Sequence, residues 1–266
     1  MPEAWVNGVI LVVAGLIVFG AVLLIRHRVP AADVEHPSWS ATLSYVATAY
    51  GVVVGFSILF LFGQFADARQ AVGDEATSIG TAYEQAYLFP DSQTSIQRAL
   101  ICYARAVPIY DWPALREHQG GAPEVDAAYH DLVVSVGVDD QPPVGALHAG
   151  TATNLVSQIG AISTARETRL VTAETQLPAM LWILLIGGGA FVVMIIFVVT
   201  LPAKPTTQAV LVAMSSVFTL VLLLIVMALS EPFGVGSGRA SPQLIEETAA
   251  SMTSTATGGV GAPCRP

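Results

Sequence analysis

The chain has 266 residues, of which 53% are hydrophobic and 12% are charged, and its mean hydropathy is +0.63. Because soluble domains carry about 25% charged residues, this composition excludes a water-soluble globule. The net charge of −9, without any basic stripe, also excludes a nucleic-acid-binding protein.

Four segments contain no Asp, Glu, Lys or Arg and are 21 to 25 residues long. They are residues 5–25, 43–65, 177–201 and 207–229. About 20 apolar residues in a helix cross the roughly 30 Å hydrocarbon core, so the sequence predicts an all-α integral membrane protein with four transmembrane helices. The basic segment 26–28 follows the first stretch as a stop-transfer pattern, which predicts a retained span and not a cleaved signal peptide.

An acidic module lies between the second and third spans, at residues 66–176. It contains six basic and fourteen acidic residues, a balance of −8. Two series of residues recur there at helical spacing, and they are Val72, Ala76, Ile79, Tyr83 and Ala86, then Leu155, Ile159, Ile162, Arg166, Arg169 and Ala173. We therefore expect a mostly helical module, in which spans two and three continue as long helices that pack into a stalk.

This pattern divides the chain into four parts. Residues 1–65 hold transmembrane helices 1 and 2, residues 66–176 form the acidic module, and residues 177–230 hold transmembrane helices 3 and 4. Residues 231–266 contain a post-span motif and a tail that is rich in Ser, Thr, Gly and Pro from residue 251 onward. This composition predicts a disordered tail.

The sequence contains no recognisable catalytic or metal-binding motif. It has no Ser/His/Asp spacing, no phosphate-binding glycine loop and no His pair at metal-ligand spacing, and its five histidines are scattered. The sequence therefore predicts a protein that is not an enzyme and needs no metal or cofactor.

The two cysteines, Cys102 and Cys264, leave two alternatives open. They form no CxxC pair, and they can be either two free thiols or a disulfide. A disulfide requires both residues to face an oxidising compartment. Four spans place both cysteines on the same side of the membrane, which allows the bridge without requiring it.

The distribution of basic residues predicts the orientation in the membrane. Arg26, Arg28 and Lys204 lie on one side, in short connections, whereas four arginines lie near membrane ends on the other side. Short loops dominate the positive-inside rule, and long domains count little. We therefore expect both termini and the acidic module to lie outside the cytoplasm.

The second span carries the candidate site residues. Gly51 and Gly55 have the small-xxx-small spacing that lets two helix backbones approach closely. Together with Tyr50, Phe56 and Phe60 they form either a helix-packing face or a pore face whose apolar rings could gate by dewetting. Four helices alone enclose no wide pore, so conduction would require an oligomer. The span hydroxyls can line that pore or bond to backbone carbonyls.

Several residue groups, in order along the chain, resemble the bestrophin-like family of four-span bacterial membrane proteins. They are YGVVVGF at 50–56, EA at 75–76, YDWP at 110–113, RETRL at 166–170, LPAMLW at 177–182, EPFG at 231–234 and SP at 241–242. The family commonly has an acidic-Arg-Pro-Phe run after span four, whereas this chain reads Ser230-Glu231-Pro232-Phe233. We expect Glu231, Pro232 and Phe233 to cap span four at the interface.

The resemblance implies an oligomeric membrane channel or channel-like protein. Bestrophins are pentameric anion channels, so anion selectivity follows from the family analogy alone. Their large domain is cytoplasmic, so the resemblance implies the opposite orientation to the one that the basic residues predict. An acidic mouth instead concentrates cations, and the ion selectivity stays open. The alternative is a non-conducting membrane scaffold or sensor whose acidic module binds a basic protein or a divalent cation. The expected partners are the lipid bilayer and further copies of the chain, without nucleic acid.

Overall fold

The computed structural model describes residues 2–28, 36–117, 119–137, 146–175, 177–234, 239–255 and 264, and every regular element in these ranges is helical. The helices are α1 (Pro2–Arg28), α2 (His36–Ala86), α3 (Gln93–Ala106), α4 (Trp112–Arg116), α5 (Pro123–Val136), α6 (Ala146–Glu174), α7 (Ala179–Val199), α8 (Pro205–Leu229) and α9 (Gln243–Thr255). A π-helical turn, Val107–Asp111, joins α3 to α4.

Four of these helices are long and apolar enough to cross a membrane. The qualifying segments are Val9–Arg28, Trp39–Ala86, Ala179–Val199 and Pro205–Leu229. They confirm the predicted all-α membrane protein with four transmembrane helices. Pro205 begins α8, where its missing N–H costs no helical hydrogen bond.

The chain divides into two compact units, and the first comprises Met1–Gly63 and Gln176–Glu231. In this unit α1 and α7 both pack against α8. Its small cores contain Val54, Leu61, Leu185 and Val226 in one cluster, and Val22, Ala209 and Val212 in another. Many of its large apolar side chains face outward, as expected for a surface solvated by lipid.

Four hydroxyl groups in or at the end of the membrane helices are satisfied within their own helix. Ser57, Ser215, Ser216 and Thr200 each donate to the carbonyl four residues earlier. This confirms, for these four side chains, the alternative in which span hydroxyls bond to backbone carbonyls.

The second unit comprises Gln64–Thr175 and Pro232–Pro266. The helix α2, with 51 residues, continues from the first unit into the second. The predicted apolar series on α2 is buried, with Ile79 and Ala86 fully inside the core. The prediction that span two continues as a long helix is therefore confirmed. The same prediction for span three is wrong, because α6 ends at Glu174 and α7 begins at Ala179, after Pro178.

The predicted disordered tail needs correction over its first residues. Ser251 to Thr255 belong to α9, which packs against α3. The buried residues Ile245, Ala249 and Met252 recur at helical spacing and fix this helix to the core of the second unit. Polar composition alone missed this apolar stripe. Residues 256–263, 265 and 266 lie outside the described residues.

Candidate functional site

The exposed face of α2 in the first unit contains the predicted aromatic residues. Phe56 is 69% exposed and Phe60 is 58% exposed, and Leu59 between them is 68% exposed. Residues at this spacing lie on neighbouring positions of one helix face. Nothing in the described part of the first unit covers this face, so it is available to lipid or to another copy of the chain.

Gly51 and Gly55 make no close helix contact within the described chain. A Cβ atom built at either position would meet no atom within 4 Å. The two glycines thus leave a strip of open backbone on α2. Their predicted role in helix packing stays a prediction that needs a partner from outside the chain.

Tyr50 makes the close contact between α2 and α7. Its hydroxyl donates to the Leu185 carbonyl at 3.1 Å. A Cβ atom at Gly188 would lie 2.8 Å from Cδ2 of the Tyr50 ring, and one at Gly189 would lie 2.6 Å from the Thr219 side chain. The two glycines of α7 therefore create the space that Tyr50 and Thr219 fill. Tyr50 packs inside the first unit, whereas Phe56 and Phe60 point away from it.

A buried ion network joins α2, the π-helical turn and α6 in the second unit. The side chains of Glu75, Asp111 and Arg169 are all 0% exposed. Arg169 donates from Nε to Glu75 Oε2 at 2.9 Å and from Nη2 to Glu75 Oε1 at 3.2 Å. Its Nη2 also lies 2.9 Å from Asp111 Oδ2. One guanidinium thus pairs with two carboxylates that come from different helical segments.

Arg166 completes the network one helical turn before Arg169. It donates from Nε to Asp111 Oδ2 at 3.1 Å and from Nη1 to Asp126 Oδ1 at 2.6 Å. The backbone N–H of Ala122 donates to Asp111 Oδ1 at 2.8 Å. Asp111 therefore accepts hydrogen bonds from two arginines and from the segment that begins α5, and it fixes these parts together.

Aromatic side chains enclose the network. The Tyr103 hydroxyl donates to Glu75 Oε1 at 2.6 Å. The Arg169 guanidinium carbon lies 5.0 Å from the centroid of the Trp112 ring, within the range of a cation–π contact. The Trp112 ring in turn meets Phe233 edge to face, with centroids 5.8 Å apart. Glu75, Asp111 and Arg169 are thereby shielded from water, whereas Asp126 at the edge of the network is 63% exposed.

The fully buried residues keep their charges because each lies beside a group of opposite charge. Burial alone lowers the pKa of Arg169, but the carboxylates of Glu75 and Asp111 outweigh it and raise the pKa above the ordinary arginine value. Burial and the negative charge of Glu75 both raise the pKa of Tyr103. Arg169 therefore stays charged and Tyr103 stays a hydrogen-bond donor at neutral pH. The arrangement stabilises the module and offers no accessible nucleophile or base.

Arg166 and Arg169 are two of the four arginines that the sequence places near membrane ends on the module side, and sequence reasoning missed the network. One signal was present, because both arginines occupy positions of the apolar series that includes Ile162 and Ala173. Two charges on the buried side of a helix indicate buried partners. The partner residues Glu75 and Asp111 lie 94 and 58 residues from Arg169. Both lie in the family motifs at 75–76 and 110–113, but no local pattern pairs them with Arg169.

The post-span motif lies directly after α8. Phe233 is 3% exposed and packs into the core of the second unit, while Glu231 is exposed. The Pro232 carbonyl accepts the Ala240 N–H at 2.9 Å. Phe233 therefore anchors the residues directly after α8 to the core, and the role of the three residues as a cap for span four stays a prediction.

Cys102 and Cys264 are joined by a disulfide in this structure, with their Cα atoms 5.4 Å apart. Of the two alternatives left by the sequence, the structure therefore has the bridge. The bond ties residue 264 to α3. Among the residues that the structure describes, no group of three or more His, Cys, Asp and Glu side chains could hold a metal ion.

Comparison with known proteins places this fold among characterised structures. A family model described as the Bestrophin-like domain matches residues 9–243. A crystal structure of a bacterial bestrophin homologue from Klebsiella pneumoniae is similar, with 14% identity, a TM-score of 0.71 and coverage of 92% of this chain and 97% of that chain. A point mutant of that homologue gives 13% identity, a TM-score of 0.71 and coverage of 93% and 99%. No curated protein matches the chain by sequence.

Proposed function

Because the chain belongs to the Bestrophin-like family, we propose that it is an oligomeric membrane channel or channel-like protein. The observation that carries this proposal is the uncovered face of α2, where Phe56, Leu59 and Phe60 are each more than half exposed. Likeness to the Klebsiella pneumoniae homologue shows a shared fold. The conducting role is inferred from the family and from this face.

In an oligomer the exposed face of α2 would line a pore, which a single chain cannot form. Copies related by a common axis would bring their α2 helices together, and the open backbone at Gly51 and Gly55 would let these helices approach closely. The rings of Phe56 and Phe60 would then form an apolar constriction. Such a constriction can gate a pore by dewetting.

The charge of the acidic module supports a preference for cations. Its balance of −8 would raise the local concentration of cations at the pore mouth and lower that of anions. This selectivity is opposite to the anion selectivity that family analogy implies. The electrostatic argument is specific to this sequence, and we therefore propose cation preference.

Purified protein should form a stable oligomer and conduct in planar bilayers under asymmetric KCl. We expect Phe60→Ala to increase the current, because it widens and wets the constriction. Phe218→Ala is the matched control, since Phe218 is 64% exposed on α8 and should leave the current unchanged. A monomer that never conducts would reject the channel and favour a non-conducting scaffold or sensor.

We also propose that the acidic module and both termini lie outside the cytoplasm. The disulfide between Cys102 and Cys264 supports this orientation, because disulfides persist in oxidising compartments. Arg26 supports it as well, since it donates to the Ala203 carbonyl at 3.2 Å beside Lys204. These basic groups lie together at one end of the first unit, as expected for the cytoplasmic side.

Labelling of intact cells tests this orientation. Glu124→Cys in the module should react with a membrane-impermeant maleimide, whereas Thr206→Cys at the start of α8 should react only after lysis, because both residues are exposed but on opposite sides of the membrane. The reverse pattern would place the module in the cytoplasm and reject the proposed orientation.

A further inference from the structure

The end of α1 lies beside the beginning of α8 in the first unit. A Cβ atom built at Gly15 would lie 3.0 Å from the Val217 side chain, and further along α1 Val22 clusters with Ala209 and Val212. The two helices therefore run antiparallel, and the last turn of α1 meets the first turn of α8. Both candidate membrane spans terminate here. This place therefore lies at the level of the lipid headgroups.

Positive charge collects at this place. Arg26 lies on the last turn of α1 and contacts Ala203, and Lys204 immediately precedes α8. Neither basic residue forms an ion pair with an acidic residue in the described ranges. The N-terminus of α8 adds the positive end of a 25-residue helix dipole, and Lys204 provides no side-chain cap for it. Such a combination favours an anion.

Arg26 has hydrogen-bond donors that the described protein does not satisfy. Its Nη2 donates to the Ala203 carbonyl at 3.2 Å. Its Nε and Nη1 are shielded from solvent and have no hydrogen-bond partner among the described residues. These two nitrogens carry three of the five N–H groups of a guanidinium. Because buried polar groups are normally paired, these donors require an acceptor from outside the described chain.

The neighbouring amide of Gln208 does not meet this requirement. Gln208 is fully buried on the first turn of α8, where its Nε2 donates to the Phe197 carbonyl at 2.9 Å and its Oε1 is unpaired. This oxygen can accept an N–H of Arg26 through a bridging water, but an amide carries no charge. A half-buried cation beside the positive end of a helix still needs a negative partner.

We infer that this place binds the phosphate group of an anionic phospholipid. Phosphate oxygens accept hydrogen bonds in the forked geometry of a guanidinium, and helix N-termini bind them through backbone N–H groups. Arg26 is partly exposed, so its head can turn toward the membrane surface, as long basic side chains at the ends of membrane helices do. The acyl chains would contact outward-facing apolar side chains such as Ile25 and Val210. This binding does not rest on the proposed channel function.

Lipid retention by the delipidated full-length protein tests this site. The detergent-solubilised protein is mixed with equal amounts of dioleoyl phosphatidylglycerol and dioleoyl phosphatidylcholine, and native mass spectrometry counts the lipids bound per copy. The native protein should prefer phosphatidylglycerol. We expect Arg26→Gln to lower the apparent affinity for this lipid by about tenfold, because charge-assisted hydrogen bonds to the phosphate are lost.

Arg28→Gln is the matched control. It removes the same charge from the same turn of α1, but Arg28 lies about 200° around the helix from Arg26 and should leave the lipid preference unchanged. Equal retention of the two lipids by the native protein, or an equal loss in both variants, would overturn the inference. Displacement of phosphatidylglycerol by an equal concentration of inorganic phosphate would assign the site to a free anion and reject the lipid. Lys204→Gln is the second variant if Arg26→Gln does not fold, and native affinity in Lys204→Gln would then overturn the inference.

A last variant tests whether the chain supplies the negative charge itself. Asp33 and Glu35 follow α1 and lie outside the described residues. If these carboxylates neutralise Arg26, the native protein should show no preference for phosphatidylglycerol, and Asp33→Asn/Glu35→Gln should create one. That result would reject lipid binding by the native chain, whereas a preference that is present in both proteins would support it.

Discussion

Arg169→Met should lower the free energy of unfolding of the second unit by about 3–5 kcal/mol, the range measured when one partner of a buried ion pair is removed. The variant leaves Glu75 and Asp111 as uncompensated charges, although both side chains are 0% exposed. Methionine has a similar length and is apolar, so loss of volume contributes little. Urea titration of the detergent-solubilised protein, with hydrogen exchange read at the amides of α6, measures this loss.

Two further variants distinguish the effect of breaking the network from the effect of removing an arginine elsewhere. Arg116→Met removes the same charge from an exposed position on α4 and should change stability by less than about 0.5 kcal/mol. Arg169→Lys keeps the charge but cannot form the forked pair with Glu75, so it should fall between the native protein and Arg169→Met. Native stability in Arg169→Met would contradict the role assigned to the network.

Reduction of the disulfide is the second large effect. We expect Cys264→Ser to destabilise the second unit by about 2–4 kcal/mol, because the bond restricts the unfolded chain and its effect grows with loop length. Here the bond joins residues 162 positions apart. Because membrane helices already hold this loop at the bilayer, the loss of stability should be smaller than for a loop of the same length in a soluble chain. Hydrogen exchange should increase most in α9.

Loss of the disulfide should loosen α9 without releasing it from the core. Met252 is 4% exposed, and its carbonyl accepts the Tyr83 hydroxyl at 3.0 Å, so α9 remains held to the core by contacts other than the disulfide. Reductant should slow the native protein on a denaturing gel and should not change the stability of Cys264→Ser further. An unchanged exchange rate in α9 of Cys264→Ser would show that the bond does not support this helix.

The sequence predicts the membrane helices because their signal is local and one-dimensional. Absence of charge over 20 or more residues is sufficient to indicate a span, whatever the span packs against. The same holds for the long α2, since periodic burial at Val72, Ile79 and Tyr83 follows from the helix repeat alone. The family resemblance likewise depends on the order of short motifs.

Which faces meet is a different question, and periodicity does not answer it. Gly51 and Gly55 have the spacing of a packing motif, but the close contact of α2 forms at Gly188 and Gly189 against Tyr50. Small residues permit a close approach without specifying the helix that makes it. Only the arrangement of α2, α7 and α8 in space selects the glycines that are used.

The sequence by itself therefore determined the number of spans, the helical class and the acidity of the module, because charge, length and period are properties of neighbouring residues. The tertiary structure decided that Glu75, Asp111 and Arg169 meet, that Cys102 reaches Cys264, and that α9 is folded. Buried charges and a disulfide need partners far along the chain. Which distant residues become partners is decided only when the helices pack against one another.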